Sequence, residues 1–178
     1  MGNIPTTNDD ENPNFGDIPQ RDRPPKPDDP RGRMGVYKSI DDVPDRYRLR
    51  NNSAAYDGRD VWETWQAKRT AENTSDRFRQ NIDRAGRRWK NHMEDRGRHH
   101  ALARPDDVDV FFGWIIGDKG WKVNTAYQPY FVQVSKFYEW LQWHTGHPHR
   151  YNPVLMAAAN GDATPDVWQM KISENDKR

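Results

Sequence analysis

The sequence predicts an all-α fold: a compact bundle of four to five helices behind a disordered N-terminal arm. Three observations predict it. Apolar residues recur at spacings of three and four over several segments, strand-like alternation is not evident over any useful length, and helix start and stop residues bracket the periodic segments. All eight tryptophans lie between Trp62 and Trp168, whereas residues 1–35 hold one aromatic, Phe15, and seven of the thirteen prolines. With 33% apolar and 31% charged residues, the core is small and leans on its aromatics.

Taken in order, residues 1–35 are too polar and proline-rich to offset the entropy of ordering, and are expected to be a disordered tail. Residues 36–56 carry scattered apolar side chains interrupted by Pro44 and Asn51-Asn52-Ser53, and are expected to form an arm packed on the domain. The domain proper spans 57–160. Its first helix runs from about Gly58 to Ala71, with Asp57 as N-cap and Val61, Trp62 and Trp65 on one face. A second begins near Thr74 or Ser75 and reaches Asp95, with Phe78, Ile82, Ala85, Trp89 and Met93 forming a stripe that Gly97 ends. A third opens at Pro105, with Asp106 and Asp107 suited to its first turn. The longest helix is expected from Lys122, Asn124 and Thr125 to Thr145, starting late or kinking at Pro129. Residues 154–159 form one further short helix, and 161–178 are expected to be a polar tail.

Composition removes several classes of function. With no cysteine, disulfides, thiolate catalysis and cysteine-ligated metals are absent. No stretch approaches the ~20 apolar residues that cross a bilayer, and the N-terminus does not resemble a signal peptide, so the expectation is a cytoplasmic protein with no membrane partner. The net charge of +1 conceals segregation. Residues 1–73 carry 12 basic and 14 acidic groups, 74–150 carry 13 and 9, and 151–178 carry 3 and 4. Within the basic middle, residues 84–104 hold Arg84, Arg87, Arg88, Lys90, Arg96, Arg98 and Arg104 against only Glu94 and Asp95, with His92, His99 and His100 among them. Such a patch suits a polyanion.

The order of these segments resembles the SAM-like, N-terminal core-binding domain of phage-integrase-type tyrosine recombinases. A helix holding Trp89 ends in basic residues, and an acidic opening follows at Pro105-Asp106-Asp107-Val108. A glycine-bearing loop then leads into a helix with Thr125 near its start and Lys136-Phe137-Tyr138-Glu139-Trp140-Leu141 near its end, and Asn152-Pro153 closes the pattern. The resemblance covers about residues 60–155 and rests on order and spacing. It implies a domain that clamps one face of double-stranded DNA, in DNA recombination or integration by a virus or mobile element. It also implies that catalysis belongs to a separate domain. The 25 residues after Pro153 contain no His, Tyr or Cys, so the family's catalytic set is missing from this chain and no enzyme activity is expected.

His147-Pro148-His149-Arg150 spells His-x-x-Arg but precedes the Asn-Pro, where the family has no catalysis. His144, His147 and His149 lack a neighbouring carboxylate and are expected to cap a helix end or reach phosphate. No metal or cofactor is expected. The candidate DNA contacts are cations and polar donors at element ends. Lys119, Lys122, Asn124 and Thr125 surround the start of the long helix, where free N–H groups and the helix dipole favour an anion. Gln128 and Lys136 lie off its apolar stripe, and Arg77, Arg84, Arg87 and Arg88 flank the stripe of the earlier helix. Trp89, Trp114, Phe137 and Tyr138 are read as core. Two other readings stay open: the N-terminal portion of a split or truncated recombinase, partnered by a catalytic chain or by itself, and a helical protein-interaction adaptor.

Overall fold

The computed structural model describes residues 27–72, 74–120 and 122–176 and is helical throughout, with no strand among them. Six helices of eight residues or more build it: α1 (Val61–Arg69), α2 (Asp76–Asp95), α3 (Pro105–Gly113), α4 (Val132–Trp143), α5 (Pro153–Asn160) and α6 (Thr164–Asp176). Local chemistry sets most of the boundaries. The Ser75 hydroxyl accepts from the Phe78 N–H at 3.2 Å to start α2. Gly97, at φ +70, lets the chain leave it while the Arg98 N–H returns to the Met93 carbonyl at 2.9 Å. Pro105 occupies the first turn of α3, where a missing N–H costs nothing. Asn152 caps α5 by accepting from the N–H groups of Val154 and Leu155, which gives Asn152-Pro153 a local reason to exist.

Four elements depart from the sequence expectations. The N-cap of α1 is Asp60, which accepts from the Glu63 N–H at 3.0 Å, and Asp57 lies outside the helix. The long helix does not run from Lys122. Val123–Thr125 makes one turn, Gln128 adopts an extended conformation (φ −107, ψ 122) before a cis Pro129, and a wide turn then feeds α4. The expected C-terminal tail is α6, whose Val167 and Trp168 are buried. The expected N-terminal tail is in part packed: Pro30 and Met34 are buried in a turn at Pro30–Arg33, and Arg31 donates to the Ala159 carbonyl. Residues 1–26 lie outside the described residues.

The core is aromatic and continuous. Trp62, Trp65 and Phe137 meet at 4.8–5.5 Å between α1 and α4, and Trp89 meets Phe111 edge-on at 5.2 Å between α2 and α3. Gly86 is required where α2 crosses α1, because a Cβ there would overlap the Trp62 indole. The arm closes on this body through buried Val43, Leu49 and Tyr56, with the Leu49 N–H donating to the Tyr151 hydroxyl at 3.0 Å. No helix among the described residues is long and apolar enough to cross a membrane.

Candidate nucleic-acid interface

The basic patch separates into two populations once partners are assigned. Lys90 pairs with Asp60 at 2.8 Å. Arg96 and Arg98 converge on one oxygen of Asp107 at 2.5 and 2.6 Å, and Arg104 reaches Asp106 at 3.5 Å. Asp107 is fully buried, and its second oxygen accepts from the Arg104 N–H at 2.8 Å. These four cations belong to the fold. Lys90 ties α2 to the start of α1, and Arg96 and Arg98 hold the turn between α2 and α3 on the buried side chain of Asp107.

The second population is Arg77, Arg84 and Arg87. All three are exposed on the side of α2 opposite the buried residues Ile82, Ala85, Trp89 and Met93, with no ion-pair partner among the described residues. They cover about 15 Å of helix at 1.5 Å per residue. Arg88 turns toward the neighbouring elements instead, its guanidinium 5.9 Å from the centre of Trp114 and 5.8 Å from that of Tyr130. Lys119 approaches the same indole at 5.1 Å. Trp114 is therefore a half-buried ring flanked by two cations rather than a wholly internal core residue.

The remaining expected contacts divide. Lys122, Asn124, Thr125 and Gln128 are exposed, but they lie in or beside a single turn of three residues, Val123–Thr125. The helix dipole invoked for this segment is absent, because α4 begins beyond the break at Gln128 and its approach is buried by Tyr130 and Phe131. Lys136 stands apart from the α2 row, paired with Glu139 at 3.4 Å in a groove with Trp65, Lys68, Arg69, Trp140 and Trp143. Sequence reasoning passed over Trp143, although its position off the Val134–Phe137–Leu141 stripe marks it as outward-facing. It also passed over Arg50 and Arg59, which the arm brings to a cleft of about 810 Å³ beside Lys90, Arg98 and Arg104.

Three of the histidines are tied into the fold, and His144 accepts from the Gly146 N–H just past the end of α4. His100 Nε2 accepts from the Trp62 N–H at 3.1 Å, and burial drives its pKa down to about 3. His149 is buried with Nε2 on the Ala101 carbonyl at 2.6 Å, and burial lowers it to about 4. His147 meets the Tyr56 hydroxyl, and partial burial with His144 nearby lowers it to about 4. Arg150 lies over the Tyr47 ring at 4.3 Å, so His-x-x-Arg is a turn that locks the arm down. No group of three or more His, Asp or Glu side chains among the described residues is arranged to hold a metal ion. Comparison with protein families, curated proteins and solved structures returns no match for this chain.

Proposed function

We propose that this chain binds double-stranded DNA through its phosphate backbone, using the outer face of α2 and the cations gathered at Trp114. One observation carries the proposal: four cations of the patch are paired with carboxylates of the fold, while Arg77, Arg84 and Arg87 share one exposed helix face with no ion pair among the described residues. The nearby Asp83 accepts from the Gln66 amide rather than from an arginine, which leaves the row open to an external anion. Duplex DNA carries one charge per about 1.7 Å of axis, so a row about 15 Å long spans several phosphates. Lys119 and Arg88 extend the row toward the segment holding Lys122, Asn124, Thr125 and Gln128. The resemblance to recombinase core-binding domains belongs to the same proposal. On it the chain occupies a recombination site of a virus or mobile element, and strand exchange falls to catalytic residues elsewhere.

The test is fluorescence anisotropy with a labelled duplex over a salt titration, comparing wild type with Arg84→Ala/Arg87→Ala. Binding should weaken steeply with salt, and the double variant should flatten the log–log slope by about 1.8, since each phosphate contact contributes roughly 0.9. Folded wild-type protein that fails to bind duplex at low salt would overturn the proposal. An unchanged slope in the variant would remove α2 from the interface.

A further inference from the structure

The groove between α1 and α4 is built differently from the α2 face. Its floor is Trp140, held by stacking on Phe137 at 6.4 Å and 24° and by His144 at 5.0 Å. Lys68 lies over Trp140 at 5.5 Å, and Arg69 lies over Trp65 at 5.8 Å. At the rim Trp143 is 80% exposed, the largest exposed aromatic among the described residues. Lys68, Arg69 and Lys136 stand against Glu139 alone, a local excess of two positive charges, in an open groove of about 410 Å³.

We infer that this groove is a second nucleic-acid site, which takes an unpaired stretch of strand with a base stacked on Trp143 and its phosphates on Lys68, Arg69 and Lys136. The inference deepens the nucleic-acid function proposed above but uses none of the α2 residues. An exposed indole beside cations suits a nucleotide, because every base has a π-face and every linkage a negative charge. Duplex DNA does not fit, since its bases are stacked on one another and present only their edges in the grooves. An acidic peptide satisfies the cations but leaves the indole uncovered, and peptide anchors seat in concave pockets, whereas Trp143 projects outward.

Anisotropy with labelled oligo-dT at low salt, on the full chain, tests this. Because Trp143 is exposed, its replacement leaves the core intact, and circular dichroism of each variant checks that. Trp143→Leu should weaken oligo-dT binding about ten-fold while Trp143→Phe retains most of it, because stacking requires a ring and not merely apolar area. Lys68→Ala/Lys136→Ala should reduce the salt dependence. Duplex binding should be unchanged by Trp143→Leu. Oligo-dT bound equally well by Trp143→Leu overturns the inference, as does a labelled acidic peptide that binds through Trp143 when oligo-dT does not. Wild-type protein that binds duplex but not oligo-dT overturns this site alone. Loss of duplex binding in Arg84→Ala/Arg87→Ala, with oligo-dT binding retained, leaves it standing.

Discussion

Asp107 shows how far one residue can decide what its neighbours do. Its buried carboxylate accepts from Arg96, Arg98 and the Arg104 backbone, so two arginines are engaged within the fold and one turn is fixed. Asp107→Asn keeps the shape but removes the charge and turns an amide toward one set of donors. Both arginines are partly exposed and can swing into water, which limits the penalty to about 2 kcal/mol, below that of breaking a fully buried pair. Urea denaturation should register that loss, and a midpoint within error of wild type would show that the carboxylate is dispensable. The distinction between Arg96 and Arg84 was not legible in the sequence. Both sit in the same basic run, and only the arrival of α3 gives one of them a buried partner. Trp143 was more legible, since its spacing already excluded it from the stripe.

Among the elements, α2, α3 and α5 are legible from caps of their own, α1 starts three residues later than Asp57 suggests because Asp60 caps it, and α6 was missed because its cap comes from another helix. Ser75, Gly97, Pro105 and Asn152 announce α2, α3 and α5 within a few residues of where they act. For α6 the cap is Asp109, on α3. Its Oδ1 accepts from the N–H groups of Ala163 and Thr164 and from the Thr164 hydroxyl, and its Oδ2 accepts from the Asp162 N–H, all at 2.8–3.0 Å. Gly161 is obligatory beneath it, because a Cβ there would overlap the carboxylate. In the linear sequence Asp109 is one acid among several in an apolar run, and residues 161–178 look like a polar tail. Asp109→Ala leaves these donors unpaired and should cost about 1–2 kcal/mol. Hydrogen exchange locates the effect: amides of α6 should exchange faster while those of the α2 core stay protected. Equal acceleration in both helices would mean that α6 is not capped independently. Pro129 was the other difficulty. The sequence offered a late start or a kink, and the extended Gln128 separates the 122–128 segment from α4.

At the scale of the whole molecule, the arm, the turn after α2 and the turn after α4 meet around neutral histidines, and this makes the fold acid-sensitive. His100 accepts a backbone N–H on Nε2, so protonating that nitrogen breaks the bond to Trp62. His149 keeps a proton on Nε2 for the Ala101 carbonyl, and its buried Nδ1 has no partner that would welcome a second proton. Burial holds their pKa values near 3 and 4, with His99 and Lys90 opposing charge on His100 and Asp60 favouring it, and with His147 opposing charge on His149. In the unfolded chain both groups titrate near 6.5. Above that pH neither state binds the proton and stability is complete. Below it the unfolded chain takes up protons that the native fold refuses, so stability falls as the pH drops. Each histidine contributes a slope approaching about 1.4 kcal/mol per pH unit. The decline from His149 ends near pH 4 and that from His100 near pH 3, where carboxylates also titrate. Urea midpoints should therefore be level between pH 7 and 8 and fall steadily from pH 6 to 4.5. His149→Gln should flatten that slope whatever its effect on stability at pH 7, because the slope counts protons and not contacts. A midpoint that holds level to pH 4.5 would mean that these histidines are free to charge in the folded protein, and that the arm does not depend on their neutrality.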